Sequence, residues 1–172
     1  MSIPASLLSR LETQLEALDL ILGGATPATL DARPRPEEWS ARENLAHLAR
    51  HQAVFIDRLR HLLTEDRPTL GRYRAEEDPE WPAWATLPAD EAVRRLRALR
   101  AELVALVRSL SPPESARTGL HPTFGELDVS GWLGFFLLHE AHHLYTALVR
   151  VGEATRHARQ AESYRVRGQG IV

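Results

Sequence analysis

The residues in this chain best suited to chemistry are its histidines. Cysteine is absent, which removes thiol nucleophiles, thiolate metal sites and disulfides, so a bound metal would take His, Asp or Glu as ligands. The densest cluster is His139-Glu140-Ala141-His142-His143. Residues three and four apart share a helix face, so His139 can act with His142 or with His143, and not readily with both. Trp132, Phe136, His139, His143 and Ala147 fall on one stripe that is otherwise apolar, whereas His142 lies about 100° round from His143, on a flank. Two imidazoles at i and i+4 on a core-facing stripe are a common chelate for a divalent transition metal. Buried imidazoles can equally be structural, each satisfied by one hydrogen bond, and spacing alone leaves both readings open.

An earlier segment repeats the pattern. His47 and His51 are again i and i+4, with Glu43 one turn before His47, and either His is placed to add a ligand from a neighbouring helix. His61, His121 and His157 lack a partner at helical spacing and read as structural or solvated. The run His139-Glu140-Ala141-His142 is not the His-Glu-x-x-His metalloprotease motif, because its second His comes one position early. Glu140 points away from the His139–His143 pair, which argues against a general-base role. Arg94, Arg95, Arg97 and Arg100 read as a solvated face. There is no phosphate loop, nucleophile elbow or dinucleotide fingerprint.

Four helices are predicted to position these groups. The first, about 3–22, carries Leu7, Leu8, Leu11, Leu15, Leu18 and Leu22 at spacings of three and four and stops at Gly23-Gly24. Pro27, Pro34 and Pro36 then argue against regular structure. Ser40 with Glu43 reads as a capping box for the second helix, about 40–63, with Trp39 at the hydrophobic-staple position. A polar, proline-broken stretch, 64–88, is long enough to let two successive helices run parallel. The third helix spans about 89–110 and the fourth about 129–151, ending at Gly152. Residues 1–152 thus form one domain, and 153–172 read as a loosely held polar tail. No strand pattern or internal repeat is evident, so the expected fold is an all-α four-helix bundle.

A chain of 172 residues with a formal charge of −2 has no global basic field for nucleic acid. No apolar run approaches the roughly 20 residues of a membrane span, and the start of the chain lacks the features of a signal peptide. A cytoplasmic protein with neither nucleic acid nor membrane as partner is the expectation.

The run Glu38-Trp39-Ser40-Ala41-Arg42-Glu43-Asn44-Leu45-Ala46-His47-Leu48 resembles the Trp-Ser-x-x-Glu-x-Leu-x-His-Leu signature of the DinB-like (DNA-damage-inducible, YfiT-type) family of metal-dependent enzymes. The later run His121-Pro122-Thr123-Phe124-Gly125-Glu126-Leu127, then Trp132-Leu133 and His139 to His143, resembles that family's second half. The resemblance implies an up-down-down-up bundle with the long crossover between helices 2 and 3. It also implies one divalent metal, nickel or zinc, on His47, His139 and His143, which singles out His47 over His51 and His143 over His142. Trp39, Glu43, His142 and Tyr145 are then expected to support the ligands or line the pocket. The family commonly forms homodimers. Members of known activity mostly join a low-molecular-weight thiol to an electrophile, so S-transfer is the first expectation, with a metal-dependent hydrolase or a non-catalytic metal-binding bundle as alternatives. The chain departs from the family after the paired histidines, with Leu144-Tyr145-Thr146 where Arg or Lys, Gly and Gln are frequent.

Overall fold

The computed structural model describes residues 3–169. The first bundle helix is α1 (Ala5–Thr13), a 3-10 turn (Gln14–Glu16) and α2 (Ala17–Leu22) in succession. The tightened turn coincides with Gln14, whose amide donates to the Leu137 carbonyl (2.9 Å) and to Glu140 Oε1 (2.8 Å). The second bundle helix is α4 (Ala41–Thr64), opened by the reciprocal Ser40–Glu43 capping box. The third is α6 (Ala89–Ser109). The fourth, α8 (Val129–Gln169), is the longest element.

Prolines expected to exclude structure instead begin short helices: α3 (Pro27–Asp31), α5 (Trp81–Ala85) and α7 (Pro112–Ser115) all carry Pro in their first two positions. The fixed φ of Pro suits N1, where its missing N–H has no intrahelical partner to lose. Thr26 and Ser111 cap two of them.

Two further expectations are corrected. A β-hairpin joins α7 to α8: β1 (Thr118–His121) pairs antiparallel with β2 (Gly125–Asp128), with His121 opposite Gly125. Gly125 takes the positive φ (73°) that closes this turn. The crossover adds an outer rung, with Leu70 N–H donating to the Leu120 carbonyl and Leu120 N–H to the Pro68 carbonyl, both at 2.9 Å. Gly119 makes this close approach possible, because a Cβ there would lie 2.6 Å from Leu62 Cδ1 and 3.0 Å from the Pro68 oxygen. Each strand is only four residues long, too short for alternation to stand out. The helix also does not stop at Gly152. A mid-helix Gly costs only about 1 kcal/mol, Val151 is anchored in the core, and Arg150 pairs with Glu153 across the junction and with Glu38 ahead of α4. The region expected to be a tail is therefore helical to Gln169, while 170–172 lie outside the described residues.

The chain is an up-down-down-up four-helix bundle, with α4 packed between α6 and α8. Its core has two apolar halves, one built on Leu18, Leu45, Leu48, Leu96 and Ala147, the other on Phe55, Leu59, Leu103, Trp132 and Phe136. Between them runs a polar layer of Gln14, Gln52, Arg100, Glu140 and the histidines. No helix among the described residues is long and apolar enough to cross a membrane.

Candidate metal centre

The functional side chains enter from α4 and α8, which face each other across the polar layer. His47 on α4 and His139 and His143 on α8 each offer a ring nitrogen, and these three atoms lie within 4.8 Å of one another. His47 Nε2 and His139 Nε2 are 3.3 Å apart. Nitrogens about 2.0–2.1 Å from a tetrahedral metal are separated by nearly that distance. All three rings are neutral near pH 7. Burial, and then its neighbour His139, holds the pKa of His47 down to about 3. Burial, His142 and Arg58 hold His139 at about 4. Burial followed by His47, His139 and His142 brings His143 to about 2.

His143 shows that the donor set fits a cation. Asn44 donates its amide nitrogen to the Ser40 carbonyl (2.8 Å), so its oxygen must face His143 Nδ1, 2.8 Å away. An amide oxygen only accepts, which puts the proton on Nδ1 and leaves a lone pair on Nε2. This is the tautomer a metal ligand requires. Nδ1 of His47 and of His139 are buried without a protein partner, and the polar contact these two rings make among the described residues is to each other, Nε2 to Nε2.

Several residues take places other than those expected. His51 is fully buried beside the trio, its ring centroid 4.0 Å from that of His139, but it is stacked on Phe136 (5.8 Å, 8°) and is not part of the three-nitrogen set. His142 is exposed and meets His143 edge-on at 5.1 Å. Trp39 does not staple to the fourth helical residue, which is the polar Asn44; its ring packs on His47 (4.9 Å), Trp81 (5.1 Å) and His143 (6.1 Å). Glu43 does not reach the histidines, because its carboxylate is taken by Arg33 and the Ser40 N–H. Tyr145 lies on a separate outer surface with Leu20, Leu144 and Leu148. Glu140 does point away from the pair, into a buried ion pair with Arg100. That contact corrects the solvated reading of Arg100, which is only 5% exposed and also binds Gln52 and the Leu11 carbonyl.

A cavity of about 480 Å³ opens onto His139 and His143, a size typical of small-molecule sites. Its other walls include Arg58, Arg72, Tyr73, His121, Phe124 and Phe135, none of which sequence reasoning selected. His121, read as structural or solvated, lies at the hairpin turn and forms part of the wall. Tyr73 is anchored by donating its hydroxyl proton to Asp78 Oδ2 (3.0 Å), which Arg50 grips from α4. On the other side of His143, a shallower groove carries Glu37, Glu38 and Glu76.

The profile of the DinB superfamily matches residues 10–147. A protein of Oceanobacillus iheyensis with the provisional name of a metal-dependent hydrolase is 32% identical over 116 residues, which cover 67% of this chain and 66% of that protein. The chain thus spans about two thirds of that relative's length. Bacillus subtilis YuaE is 31% identical over 148 residues, covering 79% of this chain and 88% of its own. Among solved structures, Bacillus subtilis YfiT, described as a probable metal-dependent hydrolase with an unusual four-helix bundle topology, matches the fold with a TM-score of 0.68 at 23% identity, over 89% of this chain and 86% of that one. TT2238, a four-helix bundle protein, matches with a TM-score of 0.59 at 31% identity, over 83% and 94%.

Proposed function

The chain belongs to the DinB superfamily, and from that premise we propose that His47, His139 and His143 hold one divalent metal ion in a metal-dependent hydrolase of small molecules. The observation that carries the reading is the His143–Asn44 hydrogen bond, which leaves an unprotonated ring nitrogen to join those of His47 and His139. Three neutral imidazoles leave a coordination position open, as catalytic sites do and closed structural sites do not, and they suit nickel, zinc, copper or iron. A metal bound there supplies Lewis acidity, making a water or thiol nucleophilic near neutral pH. The names of the relatives favour hydrolysis.

The chain's own residues complete the site. Trp39 packs on His47 and His143 on the groove side, and residues of the crossover and hairpin line the cavity side. The Tyr73 hydroxyl proton is committed to Asp78, which excludes it as a free proton donor.

The test is metal analysis of untagged protein, with His139→Ala as control, followed by turnover of an ester and amide panel without thiol. One metal per chain, lost in the variant, and hydrolysis that depends on it are expected. Equal metal content in both proteins would overturn the reading. Turnover only with an added low-molecular-weight thiol would mark the S-transferase the sequence resembles, and metal without either activity a non-catalytic bundle.

A further inference from the structure

The cavity wall carries charge of one sign. Arg58 and Arg72 line it, and no carboxylate does. Other arginines are matched with acids, as Arg50 is with Asp78, Arg60 with Glu102 and Arg100 with Glu140, or with backbone carbonyls, as Arg117 is with those of Leu62 and Glu65. Among the described residues Arg58 has no acidic partner and gives one hydrogen bond, to the Gly71 carbonyl. A guanidinium offers five N–H donors in a planar fork, so most of the donors of this half-buried group stay free. Leaving such a cation without a counter-charge is unfavourable, and burial does push the Arg58 pKa below its ordinary value. Arg72 is exposed at the cavity mouth, with no hydrogen bond to the described residues.

His121 supplies a third donor. Its Nδ1 accepts from the backbone N–H groups of Thr123 (3.1 Å) and Phe124 (3.2 Å) at the hairpin turn, so the neutral ring must carry its proton on Nε2. Burial, reinforced by the nearby charges of Arg58 and Arg72, disfavours a second proton. The ring therefore presents a fixed N–H donor from the same wall as the two guanidinium groups. Beside it, Phe124 stacks on His121 (4.6 Å) and Phe135 closes the corner at 5.1 Å from Phe124.

We propose that this wall is an oxyanion-recognition site: the substrate carries a carboxylate or phosphate group that Arg58, Arg72 and His121 Nε2–H hold, while its apolar part lies along Phe124 and Phe135 and its reacting bond faces His139 and His143. The orientation of the reacting bond rests on the metal reading above; the anion site does not. The opposite groove carries Glu37, Glu38 and Glu76, with Arg150 paired to Glu38, so its excess of carboxylates disfavours the same group. Guanidinium forks suit both oxyanions, because each can accept two parallel N–H bonds.

Metal-free protein in low-chloride buffer is titrated separately with inorganic phosphate, acetate and succinate, following backbone amide shifts by NMR. At least one oxyanion is expected to saturate a single site, shifting the amides of Thr123 and Phe124, and the preferred one tells phosphate from carboxylate. Arg58→Gln and Arg72→Gln should each weaken that binding at least threefold and together at least tenfold, with Arg58→Lys intermediate. Should Arg58→Gln fail to fold, Arg72→Gln at its exposed position carries the comparison. No saturable binding of any of the three anions, or binding unchanged in both single variants, overturns the proposal. Anion binding in a protein that never takes up metal would sink the metal reading alone. Metal uptake without anion binding would sink this one alone.

Discussion

Asn44 on α4 accepts a 2.8 Å hydrogen bond from His143 Nδ1 on α8, while its own amide donates to the Ser40 carbonyl one turn back. The capping end of one helix therefore sets the tautomer of a histidine far along the chain. Hydrogen bonds of this kind orient metal-ligating histidines, and their loss typically weakens metal affinity about 10- to 100-fold. Asn44→Ala should show a loss of that size in a chelator-competition titration with zinc or nickel, whereas Asn44→Asp, which still accepts, should retain most of the affinity. Affinity in Asn44→Ala equal to the wild type would mean that the bond has no part in ligation.

His142 and His143 separate geometry from composition. His143 faces the trio and His142 the solvent, so His143→Ala should lose stoichiometric metal and His142→Ala should keep it. Metal at 100 times its Kd stabilises the folded state by about 2.7 kcal/mol, so the thermal midpoint should rise with metal in the wild type and His142→Ala, and not in His143→Ala. A metal-induced rise in His143→Ala would contradict the assignment.

What was legible in the sequence was what local periodicity encodes. The i, i+4 spacing of His139 and His143, the apolar stripe under them and the Ser40–Glu43 box are helix properties, and they appear as read. Choosing His47 over His51 needed a resemblance, because both residues lie on the buried face of α4 and both rings adjoin His139. The cavity wall was not legible. Arg58, Arg72 and His121 meet only because the crossover pairs with β1 through Leu70 and Leu120, a contact between segments with no shared period. The continuation of α8 past Gly152 is not legible either, because it depends on the burial of Val151 and the ion pairs of Arg150, which are tertiary contacts, and not on the local signal of one glycine.

Arg100 and Glu140 form an ion pair at the centre of the bundle, with side chains 6% and 1% exposed. Burial opposes the charged form of each and outweighs their mutual attraction, which Gln14 assists at Glu140, so Arg100 is held below and Glu140 above its ordinary pKa. Removing one partner leaves the other charged and buried, at a cost of about 3–5 kcal/mol. Arg100→Met and Glu140→Leu should each lose stability of that order in urea denaturation, and the double variant should lose clearly less than the sum. Additive losses would show that the pair is not coupled.

Asp78 anchors the cavity from the crossover. It accepts from Arg50 Nε (2.6 Å) and Nη2 (3.1 Å), from the Tyr73 hydroxyl (3.0 Å) and from the Glu80 N–H (3.0 Å). Arg50, more than any other partner, holds the Asp78 carboxyl below its usual range, against an opposing effect of burial. A carboxyl whose pKa is lower in the folded than in the unfolded chain, where it is about 3.9, contributes stability that is full above that value and is lost as pH falls through the folded pKa. Asp78→Asn should therefore be less stable than the wild type by about 1–3 kcal/mol at pH 7, and the gap should narrow as pH drops below about 4. Denaturant midpoints of both proteins from pH 7 to pH 3 provide the measurement. A gap that stays constant across that range would show that the charge of Asp78 does not hold the crossover in place.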